Sequence, residues 1–533
     1  MFTPSPLGSG AVTTLLSRPL GRNGPDPRRA PEPPSDREAS LLGRPMPDDR
    51  IRALVATMLV TLLGVIVRFQ NLGFPTDNGS PVFDGKHYAP QAWQVLRNGG
   101  FADNAGYELI VHPPLGKQLI AIGEWLFGYN GWGWRFAAAV AGTVVILLIV
   151  RIARRLTRST LLGVLAGVLA ICGGVLHLQS RMGMLDIFLT VFVVGAFACL
   201  LRDRDQVRER LAVAVREGWA WDTPFGPRLG FRWWRFGCGV LLGLATAVKW
   251  SGAYYVLAFG VMCLLFDVAA RKAAGTQHPW LGMLRRDLLP AVWGVGLVAV
   301  LVYFGSWWAW FASETATDRH YVEIHDITGP FSWLPNALRS LVAYSVNVLD
   351  FHVHLYTPAD DPHPWESKPW TWPMGLRPML YYYADGPAAT GCGASECVRA
   401  TMLIGTPAMW WLALPMLAWG IWRAVFRTDW RYAAVLTAYF AGLLPWFGDL
   451  RRQMYFFYAT PMAPFLVLGI TLVLGHILGS TRLGFERRGT GLLVVSLYVG
   501  LVVANFAWLW PILNGTSITT EHWQSELWLP SWR

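Results

Sequence analysis

The stretch RALVATMLVTLLGVIVRF, residues 52–69, decides the fold class. It is a nearly uninterrupted apolar run, and a helix of this length, at about 1.5 Å per residue, crosses most of the roughly 30 Å hydrocarbon core of a bilayer. The whole 533-residue chain has the same character: 53% of its residues are hydrophobic, 15% are charged and its mean hydropathy is +0.34. The sequence therefore predicts an all-α polytopic membrane protein.

About eleven apolar runs along the chain are candidate membrane spans. Two of them are separated by KWSG alone, residues 249–252, and one long re-entrant passage is the alternative there. The predicted spans are 52–69, 135–150, 160–177, 183–201, 235–249, 252–267, 288–310, 402–422, 432–447, 455–475 and 490–511.

Lysine and arginine residues are concentrated in alternate connections between these spans. With the N-terminus inside, about 30 of the 45 basic residues fall on the inner side, as the positive-inside rule expects. The prediction is a multi-pass plasma-membrane protein with a cytoplasmic N-terminus and an extracytoplasmic C-terminus. The same loops account for the net charge of +11, so nucleic-acid binding is not expected.

The chain divides into a tail and one membrane domain. Residues 1–50 are rich in Pro, Gly, Ser and Arg and predict a disordered cytoplasmic tail, whereas residues 51–533 form the membrane domain. Two predicted outer loops, 70–134 and 311–401, are long and dense in charged and aromatic residues, so function is expected there. An oxidising outer face permits a disulfide between Cys392 and Cys397, with two free thiols as the alternative.

Charged side chains are predicted to gather at the outer ends of the spans. Asp84 lies in VFDGKHYAP, residues 82–90, and the tandem prolines of VHPPLGKQL, residues 111–119, predict a helix that begins after them. Each basic residue near a span end has the alternative of snorkelling to headgroups, but Lys249 interrupts apolar sequence and is a site candidate by default. The basic residues expected at this depth are His112, Lys117, Arg135, Lys249, Arg377, Arg451 and Arg452.

One acid among several cations suits a lipid-linked sugar phosphate. The phosphate is already a good leaving group, and nearby cations stabilise it as it departs. A carboxylate within hydrogen-bond reach can take the proton of an acceptor hydroxyl, and a single displacement inverts the anomeric centre. Asp84 is the candidate base.

Several motifs, in this order, resemble the protein O-mannosyltransferase family of C-type glycosyltransferases, in its bacterial branch. The resemblance runs from about residue 50 to the C-terminus and implies the family's eleven-span fold. The motifs are VFDGKHY, VHPPLGKQLIA, GWRF, SRMGMLDIFLT, VKWSG, ESKPWTWP, GTPAMWW and RRQMYFFYATPM.

The resemblance implies transfer of mannose from polyprenyl-phosphate mannose to Ser or Thr hydroxyls of secreted proteins on the outer face. Asp84 is then the base and Arg135 a donor-phosphate contact. His112, Pro113 and Pro114 are expected to shape the site, and Glu366 and Arg377 to shape its substrate-binding part. Arg181 and Asp186 are expected to brace the cavity, with an ion pair between these two as the alternative. The other expected substrate-binding residues are Lys117, Lys249 and Arg452.

The expected partners are the polyprenyl-phosphate-mannose donor, membrane lipids, and secreted or membrane proteins met at the secretion translocon. No cofactor and no metal are expected, since the histidines lack the spacing of a zinc site.

One departure from the family pattern concerns catalysis. The family typically has Asp-Glu where this chain has Asp84-Gly85. Three alternatives to normal catalysis therefore stay open: slower transfer, altered acceptor choice, or a binding protein without catalytic activity. Two further alternatives are a related glycosyltransferase acting on lipid or polysaccharide, and a transporter of a lipid or anion.

Overall fold

The computed structural model describes residues 36–103, 111–329, 331–358, 361–479 and 485–533. Its first half is a series of helices in which a long α8 packs against α5, α9 and α10. These helices are α1 Asp36–Leu42, α2 Arg50–Phe69, α3 Gly85–Arg97, α4 Leu115–Phe127, α5 Gly131–Thr157, α6 Thr160–Ile171, α7 Gly174–Gln179, α8 Asp186–Arg216, α9 Trp233–Val248, α10 Gly252–Ala273, α11 Pro279–Arg286, α12 Leu288–Ala291, α13 Val298–Ser306, α14 Trp308–Ala312, α15 Tyr321–Ile324 and α16 Asn336–His354.

The second half adds further helices and a small sheet. A π-helical segment, Val292–Leu297, joins α12 to α13 in one continuous rod. The later helices are α17 Pro407–Trp410, α18 Ala413–Phe426, α19 Trp430–Leu443, α20 Ala463–Leu478, α21 Phe485–Trp508, α22 Trp510–Asn514 and α23 Thr520–Glu526; short 3₁₀ helices are Trp219–Trp221, Pro369–Met374, Gly386–Ala389, Leu444–Gly448, Phe456–Met462 and Pro530–Trp532.

The predicted number of spans is not confirmed. Among the described residues, seven helices are long and apolar enough to cross a membrane, and each coincides with a predicted span. The predicted spans 160–177, 235–249 and 432–447 correspond to helices of 12, 16 and 14 residues, which are shorter than these seven. The predicted span 183–201 falls in α8, whose second half is rich in charged residues. Separate helices α9 and α10 replace the re-entrant alternative at KWSG.

A three-stranded antiparallel sheet takes β1 and most of β2 from the predicted outer loop 311–401 and its third strand from the C-terminal segment. Its order is β1 Met379–Asp385, β2 Cys397–Leu403, β3 Ile518–Thr519. Asp385 pairs with Val398 across β1 and β2, and Cys397 pairs with Thr519 across β2 and β3. A disulfide joins Cys392 and Cys397, as predicted, at the turn that leads into β2.

The predicted disordered tail needs a correction. Residues 1–35 lie outside the described residues, but α1 is a helix whose Leu41 is buried against α8. Arg208 donates hydrogen bonds to the carbonyl oxygens of Ser40 (2.7 Å) and Leu41 (2.8 Å), and Arg216 pairs with Glu38. These contacts with α8 hold α1 in place, and the amino-acid composition of the tail alone does not predict them.

A buried network of ion pairs, here called the arginine network, ties α8, α9 and α10 together at the end of the bundle that carries the basic loops. Asp267 accepts from Arg232 (2.8 Å) and Arg235 (2.5 Å). Every member is at most 7% exposed, and each carboxylate has at least one guanidinium partner. The members are Asp203, Asp267, Asp287, Arg232, Arg235 and Arg271.

Candidate active site

Asp84 lies immediately before α3, at the opposite end of the bundle from the arginine network. The preceding Phe83 has a left-handed backbone with φ of 53°, which is unusual for a bulky residue. Its ring stacks on Tyr381 at 4.2 Å between centroids and meets Phe457 edge-on at 5.9 Å. Both contacts hold Phe83 in this conformation, and so they fix the position of Asp84.

The Asp84 carboxylate is half-buried and carries no side-chain hydrogen bond or ion pair to any other described residue. Burial raises the pKa of Asp84 to about 6. The charge of Lys249 opposes this shift, Asp186 adds to it and Lys86 opposes it. A carboxylate with this pKa is ionised at neutral pH and can accept a proton.

Lys249 and Asp186 form a buried ion pair in the same region. The Lys249 ammonium lies 2.9 Å from one Asp186 oxygen, where the break between α9 and α10 meets the start of α8. The ammonium also lies 5.4 Å from the ring centroid of Phe457 and 5.5 Å from that of Tyr458. The second Asp186 oxygen is buried without a hydrogen-bond partner among the described residues.

Arg452 supplies a second cation. Its Nε donates to the His352 carbonyl oxygen (3.1 Å), and its guanidinium lies 5.4 Å from the centre of Trp446 and 5.6 Å from that of Tyr458. Burial and the Arg452 charge lower the pKa of His352 to about 4. The His352 imidazole is therefore neutral at pH 7.

The His112-Pro113-Pro114 loop contacts the same cluster. The His112 ring lies 5.8 Å from that of His352 and 6.0 Å from that of Tyr88, and burial holds its pKa well below the usual range. Pro114 directly precedes α4, which confirms the predicted helix start. Lys117, in the first turn of α4, donates to the His112 carbonyl oxygen (2.9 Å), and burial lowers its pKa to about 7.

Arg181 and Arg135 brace the segment that leads from α2 towards Asp84. Arg181 donates to the carbonyl oxygens of Arg68 and Gln70 (2.7 Å each), and Arg135 to that of Leu72 (2.9 Å). Further donations from Arg181 go to Asn71 and from Arg135 to Pro75.

The alternative of an Arg181–Asp186 ion pair is therefore wrong, because Asp186 pairs with Lys249 from another helix. The guanidinium of Arg135 is buried and bonded to backbone carbonyls. Its contact with a donor phosphate stays a prediction.

Glu366 and Arg377 lie in a groove beside this cluster. Glu366 pairs with Lys368, whose ammonium also donates to the Arg452 carbonyl oxygen (3.1 Å). Arg377 donates to the carbonyl oxygens of Ser531 (2.9 Å) and Pro364.

Tyrosines and one histidine are the residues that the sequence reasoning missed. Asp84 raises the pKa of Tyr88, Tyr381 and Tyr455, whose hydroxyls are close enough to feel its charge, although burial is the larger cause. The density of aromatic residues in RRQMYFFY and the basic HVH, residues 352–354, were the available signals. Phenol and imidazole groups thus lie beside the charged residues that the sequence predicts at this site.

The arrangement can do acid–base chemistry on a phosphate-bearing ligand. One carboxylate is available to take a proton, and Lys249 and Arg452 bring positive charge to aromatic walls. Within the described ranges, no group of three or more His, Cys, Asp or Glu side chains could hold a metal ion.

The fold has a close match among solved structures. A chain of the Saccharomyces cerevisiae protein O-mannosyltransferase complex bound to the sugar donor superposes with a TM-score of 0.70 at 14% identity, over 94% of each chain. This likeness shows the fold alone, and it confirms the predicted class, the helical membrane fold of C-type glycosyltransferases.

Sequence comparison narrows the class to a family. Profiles described as "Dolichyl-phosphate-mannose-protein mannosyltransferase" match residues 58–134 and 111–221, and one described as "C-terminal four TMM region of protein-O-mannosyltransferase" matches 337–532.

Two curated relatives are named polyprenol-phosphate-mannose–protein mannosyltransferase. The Mycolicibacterium smegmatis protein is 57% identical over 94% of this chain and 98% of its own length, and the Mycobacterium tuberculosis protein is 58% identical over 91% and 93%. The chain belongs to the protein O-mannosyltransferase family.

Proposed function

We propose that this chain transfers mannose from polyprenyl-phosphate mannose to Ser or Thr hydroxyls of proteins, with Asp84 as the general base. The names of relatives that match it over nearly their whole length support the reaction. The observation that carries the assignment of the base is the carboxylate of Asp84, which has no partner among the described residues and faces the charge of Lys249.

The chemical step needs one proton acceptor and one stabilised leaving group. The acceptor oxygen attacks the anomeric carbon, its proton passes to Asp84, and the bond between that carbon and the phosphate oxygen breaks. Polyprenyl phosphate leaves with the bonding electrons, and the charges of Lys249 and Arg452 stabilise it. The anomeric configuration is inverted, because only one displacement occurs.

Neutral His112 and His352 fit this scheme, because neither has to donate a proton to the phosphate. Their low pKa values keep both rings uncharged at pH 7, so they contribute shape and hydrogen bonding. Lys117 holds the His112 backbone in place through its 2.9 Å hydrogen bond.

The side of the membrane and the acceptors belong to the same proposal. The positive-inside asymmetry supports placing Asp84 outside the plasma membrane, where secreted or membrane proteins emerge at the translocon. Polyprenyl-phosphate mannose in the membrane would reach the cavity from the lipid side. The displacement requires no cofactor.

The purified full-length chain, in detergent with synthetic polyprenyl-phosphate mannose, tests the reaction. A Ser/Thr-rich peptide should gain one mannose with inverted configuration, and a glycan acceptor should gain none. The exposed Asp77 lies in the same loop as Asp84, so Asp77→Asn is a matched control that should retain full transfer. Transfer to the glycan alone, or no use of the donor with either acceptor, would refute the proposal.

A further inference from the structure

An open groove of about 430 Å³ lies beside residues 452–455. Lys368 in its lining donates to the Arg452 carbonyl oxygen, and His363 in its lining packs against Tyr455. We propose that this groove, here called the 362–377 groove, binds an extended stretch of the acceptor polypeptide and so sets acceptor affinity. This inference rests on the proposed function. Residues that line it include Pro362, Pro364, Thr371, Leu376, Arg377 and Ser531.

Hydrogen bonds within the chain tie the backbone of the groove to neighbouring segments. The Ser367 backbone N–H donates to the Met454 carbonyl oxygen (2.8 Å), and the fully buried Trp372 donates through its indole to the Ser367 hydroxyl (2.9 Å). Arg377 links two parts of the lining by its hydrogen bonds to the carbonyl oxygens of Pro364 and Ser531. A preformed groove lowers the entropy cost of binding a flexible chain.

The lining chemistry matches an extended backbone. One Glu366 oxygen pairs with Lys368, and the other accepts no hydrogen bond from a described residue, so it can accept from a peptide N–H. Lys368 and Arg377 can donate to peptide carbonyls, and proline rings form apolar walls. Two cations against one acid favour neutral or acidic acceptor segments over basic ones.

Tyr455 connects the groove to the catalytic carboxylate. Its ring packs edge-on against His363, which lines the groove, at 5.0 Å between centroids. The charges of both Asp84 and Glu366 act on the Tyr455 hydroxyl. The Tyr455 hydroxyl is therefore close to both carboxylates, which places the groove next to the catalytic one.

The position of the groove residues in the chain favours an occupant that arrives from water. They come from the segment 362–377 and from Ser531, near the C-terminus, and none belongs to one of the seven span-length helices. A lipid donor approaches through the bilayer, whereas a polypeptide reaches the protein from water. The groove thus gives the acceptor an entrance separate from that of the donor.

Steady-state kinetics test the groove through two filling variants, Thr371→Trp and Leu376→Trp. We expect the KM for a Ser/Thr-rich peptide to rise at least tenfold while kcat and the KM for the donor stay within twofold. Trp370 is 56% exposed and does not line the groove, so Trp370→Ala is the control and should leave all three constants unchanged. Unchanged peptide KM in correctly folded filling variants would overturn the proposal.

Crosslinking of the unmodified protein tests the groove without depending on transfer or on the folding of a variant. A peptide that contains benzoylphenylalanine should crosslink within residues 362–377, and excess unlabelled peptide should suppress the crosslink while manno-oligosaccharide should not. Crosslinks elsewhere, or suppression by the oligosaccharide, would overturn it. Crosslinking within residues 362–377 without mannose transfer would support the groove and refute the proposed function. Mannose transfer with crosslinks elsewhere would support the proposed function and refute the groove.

Discussion

Asp267 and Asp84 are carboxylates at opposite ends of the bundle, and they differ in whether they have an ion-pair partner. In the arginine network, Asp267 accepts from both Arg232 and Arg235 and is 1% exposed. At the other end, Asp84 is half-buried without a partner among the described residues. About 25 Å of α8 separates the two ends, at roughly 1.5 Å per residue between Asp186 and Asp203.

Whether a carboxylate has an ion-pair partner separates a structural role from a catalytic one. A paired buried carboxylate stabilises the fold only while both partners remain, because an orphaned charge in a low dielectric is costly. An unpartnered carboxylate lowers stability, but it is free to exchange a proton with a substrate. The comparison predicts which acid can be removed without loss of the fold.

Breaking the arginine network should have the largest effect on stability. Asp267→Asn leaves Arg232 and Arg235 short of a counter-charge, and such a loss in a buried pair costs about 3–5 kcal/mol. We expect a marked fall in Tm by thermal denaturation in detergent, with transfer per folded molecule unchanged.

An exposed ion pair provides the control for that result. Asp449 pairs with Arg451, whose side chain is 80% exposed, and surface pairs contribute about 0–1 kcal/mol. Asp449→Asn should therefore leave Tm nearly unchanged. Equal Tm values for both variants would remove the distinction between the two ends.

The pH dependence of transfer should report Asp84. Its pKa of about 6 means that the carboxylate gains a proton, and loses its capacity as a base, as the pH falls. The rate should be flat above about pH 7 and should drop about tenfold per pH unit well below 6. Stability changes in the opposite direction, since a raised carboxyl pKa favours the folded state as pH falls from 6 towards 4. A rate that is independent of pH between 5 and 7, with chemistry limiting, would contradict the role of Asp84.

The smallest effect is expected from restoring the family's second carboxylate. A Cβ at Gly85 would lie 3.6 Å from Pro81 and 3.8 Å from the Gly183 oxygen, which are ordinary contacts, so Gly85→Glu should fold. A second negative charge raises the pKa of Asp84 further, and the midpoint of the pH–rate profile should move upward by up to about one unit. Gly85→Gln is the isosteric control and should not move it; a downward shift in Gly85→Glu would contradict the electrostatic account.

The sequence predicts the parts of this fold that depend on local pattern. Long apolar runs become helices where predicted, Pro114 directly precedes α4, and the KWSG break separates α9 from α10. These features depend on hydrophobicity and backbone restriction, which are written into a few neighbouring residues.

Contacts between residues far apart in the chain are the part of the structure that the sequence patterns do not predict. The strands β1 and β2 are joined by a distant C-terminal strand, Asp186 pairs with Lys249 across 63 positions, and α1 is held by α8. Each depends on which surfaces meet after the helices pack. The aromatic lining around Tyr455 follows from the same packing.

The most direct test of the central claim measures two properties of Asp84→Asn together, the rate of mannose transfer to a Ser/Thr-rich peptide and Tm. Removing the base should slow transfer by about 10²–10⁴-fold, while removing an unpartnered buried charge should leave Tm unchanged or raise it. A variant that transfers mannose at the normal rate would show that Asp84 is not the base. A variant that loses both activity and stability would show that Asp84 holds the fold, as Asp267 does.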